Sequence, residues 1–224
     1  MQKILTILYS LLVIWLVQGS SAAELRGGMN LGYNGGLGFD INGTTYHFAQ
    51  DFPLAVRINL GYAVFDPGNA NAARKIFINN DEGGTVEEKG SVYRFGLDFL
   101  YPIRLLKLPE SYLIVGPRYD SFTGNFKFIG DNEDFDVTSK HWGIGLGLET
   151  GFPINQKFNF ILNTGVDYFF ASTLYGHDTS YSPDGQSNNP QEDYQYSDAD
   201  DAINQPKLEF RFMVGFSYQF GQHK

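Results

Sequence analysis

The chain has 224 residues, 16 Lys and Arg against 25 Asp and Glu for a formal charge of −9, no Cys, and a surplus of Gly (26), Phe (20) and Tyr (14). That aromatic content excludes a disordered chain, and the Gly and aromatic load argues against a helical bundle. Without Cys there is no disulfide framework, thiolate metal site or Cys nucleophile, and the acidic balance excludes the basic stripe of a nucleic-acid binder.

The first element is a leader. Lys3 precedes an apolar run from Ile4 to Val17, and Gln18-Gly19-Ser20-Ser21-Ala22-Ala23 follows it. This is the order of a secretory signal peptide over 1–23, cleaved after Ala23 or Ala22. The run falls short of the ~20 residues a spanning helix needs. Removing it takes away one lysine and no acid. The domain reading is therefore a signal peptide, 1–23, followed by a single domain, 24–224.

Everything after the leader reads with period two, the signature of strands. Met29, Leu31 and Tyr33 share a parity with Leu37, Phe39 and Ile41. A turn at Asn34-Gly35-Gly36 would pair Tyr33 with Leu37, Leu31 with Phe39 and Met29 with Ile41, although one long strand has the same parity. Over 54–65, Leu54, Val56, Ile58, Leu60, Tyr62 and Val64 alternate with small or polar residues. The 66–90 connection contains Ala70 to Ile78, suited to a short helix or an irregular lid. Strands follow over 91–101 and 112–128. In the second, the apolar parity switches beyond Asp120, at Phe122, Phe126 and Phe128, which suggests a bulge. After an acidic connection at 130–138 come strands over 139–152 and 158–171. An acidic connection at 172–206 then leads to the last strand, 207–220.

The polarity of the two faces decides between a soluble sandwich and a membrane barrel. The polar face carries both charge signs beside abundant Gly, as a crowded interior would. Aromatics collect at the strand ends: Tyr33, Tyr62, Tyr93, Tyr119, Trp142 and Tyr168 towards one rim, Tyr101, Phe152, Phe158, Tyr218 and Phe220 towards the other. Two such girdles belong to a membrane barrel, with its apolar face outward. On this pattern the chain resembles the small outer-membrane β-barrels of Gram-negative bacteria, similar to OmpX and the transmembrane domain of OmpA. Gly215, Tyr218 and Phe220 fit the glycine-x-x-aromatic-x-aromatic signal that the outer-membrane assembly machinery reads in that family. Met213 and the trailing Gly221-Gln222-His223-Lys224 depart from it.

The expected fold is all-β, an eight-stranded antiparallel up-and-down transmembrane β-barrel. Counting back from a last strand that ends at the periplasm puts 66–90, 130–138 and 172–206 outside and the shorter 102–111 and 153–157 inside. Longer outer loops and shorter inner turns are what such barrels show. The resemblance implies the cell outer membrane, a monomer, and as partners outer-membrane lipid, lipopolysaccharide and the assembly machinery.

The lumen would hold Arg57, Arg94, Arg118 and Arg211 against Asp98, Asp120, Glu149, Asp167 and Glu209. This reads either as a charge-selective pore or as an ion-pair network filling an interior just wide enough for side chains. Arg94 and Asp98 share a face and should each pair across strands. Asp131, Glu133, Asp134 and Asp136 form a cluster of hard oxygen ligands, suited to a weakly held divalent cation or simply to water. His177-Asp178-Thr179-Ser180 is the one local grouping of His, acid and hydroxyl, but no nucleophile elbow accompanies it. His47, His141 and His223 are scattered. No catalytic residue and no cofactor is expected. The leading function is a non-enzymatic surface barrel whose acidic outer loops bind a ligand or partner, or which supports envelope integrity. A small pore comes second and a lipid- or peptide-processing enzyme third.

Overall fold

The computed structural model describes residues 24–47, 52–80, 84–104, 108–130 and 133–220. The proposed leader, Asp131 and the trailing 221–224 lie outside the described residues. The elements in chain order are β1 (Glu24–Asn34), β2 (Leu37–Tyr46), β3 (Ala55–Phe65), α1 (Ala70–Ile78), β4 (Thr85–Ile103), β5 (Ser111–Ile129), β6 (Glu133–Pro153) and β7 (Phe158–Phe169). Two short strands, β8 (Leu174–Tyr175) and β9 (Ser180–Tyr181), then α2 (Tyr196–Ala202) and β10 (Leu208–Phe220) complete the chain.

Eight long strands, β1 to β7 and β10, pair antiparallel with their sequence neighbours, and β10 closes onto β1 from Leu25↔Phe220 to Asn34↔Arg211. The barrel therefore has no free long edge within its eight-stranded belt. The first hairpin has the register expected from parity: Tyr33↔Leu37, Leu31↔Phe39 and Met29↔Ile41. Gly35 sits in the turn at φ 68°, a left-handed conformation that glycine adopts without a Cβ clash.

The apolar parity points outward. Leu31, Leu37 and Phe210 are 65, 72 and 66 % exposed, far more than a water-facing sheet tolerates along a whole belt. Aromatic contacts bind neighbouring strands at both rims. Tyr62–Tyr93 (5.2 Å between centroids) and Tyr119–Trp142 (5.1 Å) lie at one and Phe158–Tyr218 (4.9 Å) at the other, where Tyr218 also meets Phe220 of its own strand (5.1 Å). A closed barrel with this exterior crosses lipid.

β4, β5 and β6 are 19, 19 and 21 residues long, against 11, 10 and 11 for β1 to β3. They therefore rise past the aromatic rim as a three-stranded ribbon. This corrects two expectations. There is no bulge in β5: its register is unbroken through Phe95↔Tyr119, Val92↔Phe122 and Val86↔Phe128, and its even-numbered residues face inward from Ile114 to Phe128. The inside itself changes from polar within the membrane to apolar above it. Most of the expected 130–138 loop is also strand, because β6 already begins at Glu133.

Above the rim lies a second core. Phe122, Phe126, Phe128, Phe135 and Val137 of the ribbon pack against Ala73, Ile76 and Phe77 of α1, Leu174 and Tyr181 of β8 and β9, and Ala199 and Ala202 of α2. The α1 helix forms because Asn69 caps it, accepting from the Ala72 N–H (3.0 Å), and because Ala70, Ala73, Arg74 and Phe77 recur on one buried face. Of the two readings of this segment, helix is the observed one. It stops at Asn79, whose φ of 61° ends the helical run. In α2, Asp198 accepts from the Gln195 N–H (2.8 Å). Backbone bonds from Asn69 to Ala202 (2.8 Å) and from Asn204 to Pro67 (3.0 Å) tie the two outer connections into one cap.

Candidate functional site

The lumen is built in layers. At the turn end Tyr46, Ala55, Leu100 and Ile114 make a small apolar floor, with Tyr112 against it. Above it the guanidinium of Arg57 pairs bidentately with Glu149 and donates through Nε to Thr44 Oγ1 (2.9 Å), while Asn163 donates to Glu149 (2.9 Å). In the next layer Arg118 lies between Asp98 (2.6 Å) and Asp167 (3.1 Å), and Arg211 meets Asp167 (2.8 Å). Highest, Arg94 pairs with Glu209 and Asp120, the latter at 3.3 Å. All nine residues expected in the lumen, Arg57, Arg94, Asp98, Arg118, Asp120, Glu149, Asp167, Glu209 and Arg211, come together here. Arg94 and Asp98 pair across strands.

The inward glycines of β6 and β7 follow from this crowding. A Cβ on Gly145 would lie 2.3 Å from Asp167 Oδ1 and 2.4 Å from Arg118 Nη2, and one on Gly165 would lie 2.8 Å from Arg211 Nη2. The guanidiniums occupy the volume that side chains would otherwise fill. A chamber of about 50 Å³ remains between Arg94, Arg118, Asp120 and Arg211, room for a few waters. Nη1 of Arg94, Nη2 of Arg118 and both Asp120 oxygens have no hydrogen-bond partner in the protein. Such polar edges call for water. Phe65 and Phe122, edge to face at 6.1 Å, begin the apolar cap immediately above.

Sequence reasoning missed several members of this interior. Asp40, held by Asn30 (2.8 Å) and Asn42 (3.2 Å), and Asn59, donating to Asp98 (2.6 Å), both lie on inward parities that could have been counted. At the turn end Arg26 pairs with Glu24 and with Glu110 (2.6 Å) and sits 4.8 Å from the Tyr46 ring. The cap hides a further cation. Arg74 is 1 % exposed, stacks 4.2 Å over Phe128 and bonds Glu133. That bond holds the Glu133 carboxyl below the usual glutamate range. No sequence signal marked Arg74, since it lies among the helix's apolar positions.

The described members of the acidic cluster, Glu133, Asp134 and Asp136, do not converge on one point. Glu133 turns toward Arg74 and Asn80, whereas Asp134 and Asp136 both accept from Asn125 (2.7 and 2.9 Å). Among the described residues no group of three His, Asp or Glu side chains is placed to hold a metal ion. The His177 grouping also diverges. His177 meets Asp178 (2.9 Å) at an exposed tip, while Ser180 turns inward and its backbone pairs with Asn188. A different pair is closer: Ser139 Oγ and His141 Nε2 are 2.7 Å apart, with His141 Nδ1 3.0 Å from the Phe170 carbonyl. Both residues are 1 % exposed beneath the cap. Two open acidic clefts mark the cap surface. One, of about 420 Å³, is lined by Asp66, Glu88, Asp200 and Asp201; the other, of about 380 Å³, by Glu133, Asp134, His177 and Asp178.

Gly215, Tyr218 and Phe220 lie on β10. Gly215 has a packing reason of its own, since a Cβ there would lie 2.1 Å from the Met29 carbonyl oxygen across the closing seam.

Neither a scan against protein-family models nor a search of curated proteins finds a match. Among solved structures, a major outer membrane protein from Thermus thermophilus superimposes with a TM-score of 0.71 at 24 % identity, covering 89 % of this chain and all of that one. Neisserial surface protein A gives 0.42 at 10 % identity, covering 91 % of this chain and all of that one, and Acinetobacter baumannii CarO gives 0.36 at 14 %, covering 87 and 96 %. The first likeness establishes a shared fold, the closed eight-stranded antiparallel barrel.

Proposed function

We propose that the chain is an integral outer-membrane protein with a closed, non-conducting lumen and a working surface on its acidic cap. There it binds a ligand or partner without chemical turnover. One observation carries this reading: the lumen is filled. Four arginines and their carboxylates leave about 50 Å³ open, and apolar layers lie above and below. An ion crossing it would have to displace buried, mutually paired charges, which is costly. The cap supports the second half. Its aromatic core gives the acidic clefts a rigid base, and rigid scaffolds bearing surface loops are where binding residues collect. The closed belt of strands is consistent with a monomer. The Ser139–His141 pair has the elements of a nucleophile and base, but both side chains are 1 % exposed beneath the cap, which favours a non-enzymatic role.

Conductance across a planar bilayer tests the reading. Protein whose insertion is verified independently should give no reproducible single-channel steps. Steps whose ion selectivity changes with Arg57→Ala would replace it with a small pore.

A further inference from the structure

The outward face of the β4–β6 ribbon changes character within one residue pair above the aromatic rim. Tyr119 and Trp142 face each other across β5 and β6, and the next outward pair is Ser121 and Lys140, then Thr123 and Thr138. On β4 the positions beside them are Tyr93, opposite Ser121, and Ser91, opposite Thr123. From there to Asn125 no outward residue of the ribbon is apolar. Aromatic rings mark the lipid–water interface, so this hydroxyl-bearing plane stands at headgroup height.

Lys140 is unusual in this acidic chain. It is exposed, and neither its ammonium nor the hydroxyls of Ser91, Ser121, Thr123 and Thr138 bond any described residue. Two other lysines stand higher on the same face: Lys127, 3.8 Å from Glu87 and opposite Asp134, and Lys89, opposite Asn125 and two outward positions above Tyr93. The nearest outward acid on Lys140's own strand is Asp136, two outward positions higher. An ammonium with three neighbouring hydroxyl donors matches the oxygens of a phosphate, and the exposed ring of Trp142 directly below offers an apolar track for acyl chains.

We propose that Lys140, with Ser121 and Thr138 beside it, binds the phosphate headgroup of an anionic membrane lipid whose chains descend over Trp142 and Tyr119. The inference rests on the membrane placement in the functional reading but not on the closed lumen or on the role of the cap. It makes one strip of the barrel's circumference selective for lipid.

Trp142 reports on it. Beyond Trp15 in the leader it is the only tryptophan. Protein purified from the membrane is placed in vesicles containing either brominated phosphatidylglycerol or brominated phosphatidylcholine, with Trp142→Phe giving the background. At equal mole fraction the anionic lipid should be preferred at Trp142 by about fivefold, the equivalent of one lysine at a charged lipid surface. Lys140→Gln should abolish the preference, and Lys127→Gln should leave it intact. Equal quenching by both lipids, or a preference that survives Lys140→Gln, overturns the headgroup site while leaving the membrane barrel in place. Absence of quenching by either lipid overturns the membrane placement and the site with it.

Discussion

The Arg57–Glu149 pair shows what individual residues do in this interior. Both partners are almost fully buried, and each is bonded on more than one side, to Thr44 and to Asn163. Their mutual attraction roughly offsets the cost of taking them out of water, so the pair matters most when it is broken. Glu149→Ala leaves a guanidinium buried without its counter-ion and is expected to lower unfolding stability in lipid vesicles by about 3–5 kcal/mol. Replacing Arg57 and Glu149 together with leucine should recover most of that loss. Denaturant titration of the three variants checks this, and a single-mutant loss under about 1 kcal/mol would mean that water already solvates the site. The same crowding explains why glycine, with no strand propensity of its own, occupies inward positions such as Gly145: no Cβ fits beside the Arg118 guanidinium.

At the level of elements, the ribbon and α1 are joined through a buried cation. Arg74 projects from α1 over Phe128 and reaches Glu133 at the start of β6. Glu133 is held below its ordinary range by that bond. A depressed carboxyl contributes stability that is present above its unfolded pKa of about 4.3 and lost as pH falls through the lower folded value. The near-ultraviolet circular dichroism of the cap aromatics should therefore hold at neutral pH and decay on acidification below about pH 4.3. Glu133→Gln should start from a weaker cap and lose this component of the pH dependence, and identical acid profiles for the two proteins would uncouple the pair from cap stability. The continuity of β5 belongs to this scale too. A strand keeps its alternation by backbone geometry alone, so Arg118, Asp120, Phe122 and Phe126 follow one another on one face although their surroundings change from ion pairs to aromatic packing. Read as hydrophobicity, the same run looks like a break.

At the scale of the molecule, the barrel and its cap differ in what closes them. The barrel is one continuous hydrogen-bonded ladder from β1 through β7 to β10 and back. The cap adds an aromatic core and a few backbone bonds on top, and regions joined in this way open separately from the ladder. Replacing 176–195 by a short turn is thus expected to leave the barrel folded, seen as unchanged resistance to cold dodecyl sulfate on a gel, while removing the acidic cleft at His177 and Asp178. A barrel unfolded by that deletion would make cap and ladder one cooperative unit. Alternation and the aromatic girdles were determined by the sequence itself, because both are local consequences of period two. So were the nine charged residues expected in the lumen, since parity selects the inward positions, although Asp40 and Asn59 on the same parities were passed over. Parity also fixed the register the first hairpin would have, but that residues 29–41 turn back at Gly35 rather than run on as one strand, and hence the count of eight, was decided by the structure. Which arginine meets which carboxylate could not be read that way. Arg57 meets Glu149 across 92 positions and Arg94 meets Glu209 across 115, partnerships that depend on the stagger of all eight strands once the barrel closes. The cap likewise needed the tertiary structure, because an apolar residue facing inward means lipid-level crowding or a dry extramembrane core depending on its height above the rim, and height is a property of the assembled barrel.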